Sequence, residues 1–150
     1  MIDYSTQFLD FFIRDLNKLK EELSAYGNEA NIWKTGGQIS NSAGTLTLHL
    51  IGNLNHFFGA TLGNTGYVRQ RELEFSTRDV ARATLIADLD QTIAMMQSTF
   101  ARLDNRSLED TFPIMKHEKH ETTGHFMIHL YGHLAYHLGQ VNYHRRLLDL

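Results

Sequence analysis

This chain has no cysteine, which excludes disulfides, thiolate metal ligands and a protein thiol nucleophile. It has one proline in 150 residues, so long helices meet few obligatory breaks. No window approaches the roughly 18 uninterrupted apolar residues that a membrane-spanning helix needs. Positive charge is not in excess: the net charge is −3 with histidine neutral, so no basic field is present to attract nucleic acid. Acidic and basic residues are interleaved rather than gathered into a tail. The opening MIDYSTQFLDFF lacks a basic segment followed by an apolar run and a small-residue cleavage site, so the expected location is the cytoplasm. Glycine-rich phosphate loops, GxSxG and HExxH are also missing.

What the chain does have is 42% hydrophobic residues at a length suited to one domain, residues 1–150. The apolar residues recur with helical period. A first helix is expected from about Tyr4 to Tyr26, with Leu9, Phe12, Leu16, Leu19 and Leu23 on one face, Asp3 at its cap and Gly27-Asn28 at its end. After the polar loop NEANIWKTGGQIS, a second helix starts near Ser40 or Asn41 and runs to about Leu62. Its apolar stripe is Ala43, Leu46, Leu50, Leu54 and Phe57. Beside it runs a small, polar stripe of Ser42, Thr45, His49, Gly52, Asn53 and His56, suited either to a cavity border or to the solvent edge of the packed face.

The third helix is expected from about Thr77 to Leu103, with Ile86, Leu89, Ile93, Met96, Phe100 and Leu103 facing inward. Ser76 and Asp79 resemble a capping box at its start. A polar connection, DNRSLEDTFPIMKHEKHE, leads to the last helix, from about Thr122 to Asp149, whose core stripe is Met127, Leu130, Leu134, Leu138 and Val141. Four amphipathic helices predict an all-α four-helix bundle. The connector at residues 63–76 shows no long periodic pattern. At about 3.4 Å per residue it can stretch to about 45 Å, whereas the first helix is only about 35 Å long. It can therefore cross the full length of the bundle.

Nine histidines are present, and four of them, His125, His129, His133 and His137, recur every fourth residue inside the apolar pattern of the last helix. Residues four apart lie on one helix face, so an adjacent pair can chelate one metal ion. The whole quartet cannot, because it spans about 18 Å of rise and each ligand nitrogen must come within about 2 Å of the ion. The pairs 125/129, 129/133 and 133/137 are equivalent by spacing. His49, in an apolar setting upstream, is a third candidate ligand. Three histidines with an open position match the ligand count of a catalytic metal site.

HLAYHLGQ together with SAGTLTLHLIGNLNHFFG resembles the DinB-like superfamily of bacterial metalloproteins. The resemblance extends over nearly the whole chain. It includes a tryptophan-containing loop, a helix-two histidine, a long crossover and a final HxxxH followed by Gly139-Gln140. It implies His49, His133 and His137 as ligands of a divalent transition metal; histidine ligands suit zinc, nickel, copper or iron, and zinc or nickel is the expected ion. It also implies an up-down-down-up bundle, a homodimer, and a transferase activity in which the metal activates a low-molecular-weight thiol. Asn53, His129 and Gln140 are candidates for hydrogen bonds that orient the imidazoles or for pocket positions. A non-catalytic dimeric metal-binding or sensing module and a metal-dependent hydrolase are the alternatives. No catalytic residue beyond the ligands is assigned.

The remaining polar and aromatic candidates have weaker expected roles. His56 is placed near the cavity or a helix neighbour, His125 at the start of the last helix, and His117, His120 and His144 on the surface. Arg69 and Arg71 are read as a solvated connector, with anionic-substrate binding as the competing reading. Arg145-Arg146 are read as a charged helix end. Trp33 and Tyr67 either cover a pocket or pack on the bundle ends.

Overall fold

The computed structural model describes residues 3–115 and 118–150. Among them are six α-helices and no strand: α1 (Tyr4–Ser24), α2 (Ala43–Leu54), α3 (Arg71–Ser76), α4 (Arg82–Phe100), α5 (Asn105–Glu109) and α6 (Thr123–Leu148). The long helices α1, α2, α4 and α6 form the bundle. Beyond α2 the chain continues as a π-helical stretch, Asn55–Leu62.

Side-chain pairs give the helix directions. Arg14 and Tyr131, then Glu22 and Asn142, then Tyr26 and His144 pair in ascending order, so α1 and α6 are parallel. His49 meets His133 while Phe57 meets Phe126, so α2 runs against α6. Asn55 bonds Thr92, and Arg102 donates to the Gly63 carbonyl, so the second and third long helices run parallel. Lys20 pairs with Asp90 and Ser5 bonds the Leu103 carbonyl, so α4 opposes α1. The topology is up-down-down-up. The segment between α2 and α4 therefore crosses the bundle from end to end.

Most residues of the expected stripes form the core, while Leu9, Phe57, Ile93, Leu103 and Leu138 are partly buried against it. Phe12, Leu16, Leu19 and Leu23 from α1 are fully enclosed with Leu50 and Leu54 from α2, Leu89 and Met96 from α4, and Leu134 and Val141 from α6. Phe12 anchors the centre, its ring 5.1 Å from that of Phe58 and 5.6 Å from that of Tyr131. Each fully buried side chain of this size contributes about 1.5–3 kcal/mol by leaving water. In the third long helix Leu85 is the enclosed residue where Ile86 is expected, and Ile86 is only partly buried.

Several boundaries differ from expectation. α2 begins at Ala43, because the Ser42 side chain accepts the Thr45 N–H and caps it there. The third long helix begins at Arg82 rather than Thr77. Ser76 ends the short helix α3, and Asp79 sits at φ 58, outside helical geometry, so the two form no capping box. The connection after α4 contains a helix of its own, α5, whose Asp104 cap and Ser107 make reciprocal bonds. Asp3 caps α1 as its position suggests. His117 lies outside the described residues.

Trp33 packs on the end of the bundle. Its indole N–H donates to the Val80 carbonyl at 3.2 Å, and its ring lies over Gly44. A Cβ at Gly44 would come within 2.6 Å of the indole, so glycine there lets the loop close onto α2. No helix among the described residues is long and apolar enough to cross a membrane.

Candidate metal centre

The antiparallel contact of α2 and α6 brings three imidazoles together. His49 Nε2 is 3.0 Å from His133 Nε2, and His137 Nε2 is 3.1 Å from the same atom. One ligand nitrogen from each residue lies within 4.8 Å of the others. Spacing four along α6 stacks His133 and His137, and α2 supplies His49 from across the interface. His49 is buried, and the two α6 residues are half-buried. Nitrogens about 2.0–2.1 Å from a tetrahedral ion stand roughly 3.3 Å apart. The two separations from His133 Nε2, 3.0 and 3.1 Å, are close to that value.

The outer nitrogens decide which way the lone pairs face. His49 Nδ1 lies 3.0 Å from Glu74 Oε1, and His137 Nδ1 lies 2.6 Å from Gln140 Oε1. Arg69 Nη2 also lies 3.4 Å from His49 Nδ1, but the nearer partner of each Nδ1 is an acceptor, so each Nδ1 carries the proton and donates. The Nε2 lone pairs of His49 and His137 then both point toward His133 Nε2. One N–H there can satisfy only one of them, whereas a cation satisfies all three nitrogens. The donor set thus fits a divalent transition metal.

Glu74 is 6% exposed and comes from the crossover helix α3. Arg69 grips it through two bonds, Nε to Oε2 and Nη2 to Oε1, both 2.8 Å. Burial alone would raise the Glu74 pKa, but the Arg69 and His49 hydrogen bonds outweigh it and hold the carboxyl below its usual range. Burial lowers the His137 pKa, with His49 acting in the same direction and Gln140 opposing, which favours the neutral imidazole that metal binding requires.

Beside the cluster is a cavity of about 320 Å³, lined among others by Gln38, Asn41, Leu46, His137, Gln140 and His144. Among the described residues, none that lines it is a lysine, arginine or carboxylate. His144 lines it with both nitrogens engaged: Nδ1 with the Tyr26 hydroxyl at 2.7 Å and Nε2 with the Lys34 carbonyl at 2.8 Å.

The other expected residues fall as follows. Gln140 reaches His137 directly. Asn53 is buried one turn beyond His49, and its Oδ1 has no hydrogen-bond partner among the described residues. His129 is exposed, its ring 5.8 Å from that of Phe126. His56 is partly buried against Phe57. His125 and His120 are exposed, and the backbone N–H of His125 donates to the Thr122 hydroxyl that caps the start of α6. His144 is not a surface residue: it is 3% exposed and ties α6 to α1 and the following loop. Arg69 is not a solvated loop side chain, because Glu74 takes the Nε and Nη2 edge of its guanidinium. Arg71 lies over Phe75, whose ring is 4.9 Å from that of His49. Arg145 pairs with Glu22, and Arg146 covers Tyr143. Tyr67 remains partly exposed on the crossover. Glu74 carries no signal in the sequence beyond being one of two glutamates in RELEFS, inside a connector without a long periodic pattern.

An up-down-down-up bundle with three converging imidazoles and a buried carboxylate behind one of them defines an all-α protein with a candidate metal centre. The family model described as "Protein of unknown function (DUF1572)" matches residues 3–149, and the chain belongs to that family. No curated protein and no solved structure matches it.

Proposed function

We propose that this protein binds a divalent transition metal through His49, His133 and His137 and uses it as a transferase acting with a small thiol. The observation that carries the metal reading is the convergence of three Nε2 atoms, with the outer nitrogens of His49 and His137 engaged by acceptors. A divalent ion held by three neutral imidazoles keeps most of its charge and lowers the pKa of a bound thiol or water.

The chain's own residues supply the rest. Glu74 and Gln140 orient two of the ligands. The uncharged cavity beside His137 offers a place for the organic part of a substrate. The absence of cysteine means that any sulfur nucleophile must come from a co-substrate. The resemblance of HLAYHLGQ and its upstream partner motif to the DinB-like superfamily supports the thiol-transfer reading over hydrolysis. It also supports a homodimer. The exposed Ile128, Tyr136, Tyr143 and Leu147, spaced along one side of α6, provide apolar surface for one.

Elemental analysis of protein purified without a histidine tag tests the metal centre, with about one ion per chain expected. Metal-loaded and metal-free samples are then assayed for conjugation of an electrophile panel with bacillithiol, mycothiol or glutathione. Both metal content and activity should fall in acid, as protons displace metal from the imidazoles. A stoichiometric ion without acceleration of any thiol would remove the transferase reading and leave a non-catalytic metal module. A metal-free native protein that takes up no zinc, nickel, copper or iron would remove both.

A further inference from the structure

Among the described residues the crossover contributes no ligand nitrogen to the histidine cluster, yet it is built into it. Glu74 Oε1 accepts from His49 Nδ1 at 3.0 Å, and the Phe75 ring packs on the same imidazole. Arg69 holds both oxygens of the carboxylate, so Glu74 has little freedom to turn away. The seat on α2 is equally specific. A Cβ at Gly52 would lie 2.0 Å from Glu74 Oε2 and 2.5 Å from its Cδ. Only glycine at position 52 lets the carboxylate come down beside His49.

We propose that Glu74 is a positioning residue that couples the crossover to the metal centre, so that metal bound at His49 and docking of residues 69–75 stabilise each other. A carboxylate at Nδ1 holds the Nδ1–H tautomer and keeps the Nε2 lone pair aimed at the cluster. It also makes that nitrogen a stronger donor to a cation. A cation on Nε2 in turn polarises the Nδ1–H and strengthens its bond to Glu74. Coupling of this kind is reciprocal by thermodynamic necessity: whatever docking contributes to metal affinity, metal contributes to docking. Arg69 balances the charge of Glu74. Gly52 serves as the steric permit for the whole contact.

This proposal rests on the metal reading of the three histidines, and its test separates the two. Nitrogen–proton correlation spectra of the metal-free protein report the His49 tautomer, expected as Nδ1–H. In Glu74→Gln the population should move toward Nε2–H. The zinc Kd, measured by competition with a chromogenic chelator, should rise about 10–100-fold in Glu74→Gln, and Gly52→Ala should repeat the loss by displacing the carboxylate. Hydrogen exchange of the amides in 69–77 should slow when zinc is added to the wild type and respond less in Glu74→Gln. If Gly52→Ala fails to fold, Glu74→Gln and the wild-type exchange measurement carry the test. A wild-type protein that binds no zinc overturns the metal reading and this proposal together. Zinc binding with an Nε2–H tautomer in the metal-free protein, a Glu74→Gln Kd within about twofold of wild type, or zinc-independent exchange at 69–77 overturns the coupling alone.

Discussion

His49 and His133 stand 84 positions apart in the chain, and their Nε2 atoms meet at 3.0 Å across the antiparallel contact of α2 and α6. The contact joins two helices that would otherwise be separated by a loop, the crossover, α4 and α5. An ion held there would bind the folded chain and not the unfolded one, which makes metal binding a contribution to stability.

Zinc at about 100 times its Kd should accordingly raise the unfolding free energy by about 2.7 kcal/mol. His133→Ala should abolish most of that increase and lower metal occupancy sharply, since His133 Nε2 is the atom both other imidazoles approach. Thermal melts with and without zinc, together with elemental analysis, check this. Full occupancy and an undiminished shift in His133→Ala would redirect attention to His125 and His129.

Gly44 and Trp33 set a second expectation. A methyl group at position 44 would stand 2.6 Å from the indole ring, so Gly44→Ala must displace Trp33 and its bond to the Val80 carbonyl. Overpacking of this kind costs about 1–3 kcal/mol. A lowered melting temperature, accompanied by a red-shifted tryptophan emission as the sole indole gains water, is the expected result. An unchanged melt and spectrum would show that the loop accommodates the methyl freely.

The pH dependence of the metal-free protein should carry a signature of His144. Burial lowers its pKa below the ordinary 6.5, against the opposing hydrogen bond to the Lys34 carbonyl. A native state with a depressed pKa binds fewer protons than the unfolded chain, so stability rises with pH in that interval. The contribution is full above about 6.5 and is lost as pH falls through the folded-state pKa. Burial also pushes the Tyr26 phenol up, so it stays protonated and donates to His144 Nδ1, the atom that a second proton would claim. Denaturant titrations between pH 5 and pH 8, about the range in which histidine titrates, should give a shallower slope for His144→Gln than for wild type. Equal slopes would place the acid sensitivity elsewhere.

Phe12 tests the core. Its ring touches those of Phe58, Phe100 and Tyr131, from the other side of the bundle and from α6. Phe12→Ala should cost about 3–5 kcal/mol through lost burial and the cavity left behind. Chemical denaturation measures it directly. A cost below about 1 kcal/mol would mean that the bundle collapses to fill the space.

The helices were legible because their apolar residues recur at helical spacing, and only a helix places Leu16, Leu19 and Leu23 on one side. The ligand set was legible in part for the same reason: a four-residue interval puts His133 and His137 on one face. Spacing left three pairs open on α6, and it is the register of α2 against α6 that sets His49 opposite His133. The start of α4 was misplaced because Asp79 adopts a positive φ to leave the crossover, a backbone state that capping spacing does not reveal.

Local periodicity, then, determined the all-α class, the four long helices and the faces they bury, since these depend on residues within a few turns of one another. Tertiary structure decided what happens between segments. It brought Glu74 onto His49 through the path of the crossover, opened the seat for it at Gly52, and enclosed His144 between Tyr26 and the Lys34 carbonyl. None of these partners shares a helix, so no sequence period links them. Their contact exists only once the bundle has closed and a buried polar group must find its hydrogen bond from whichever segment lies beside it.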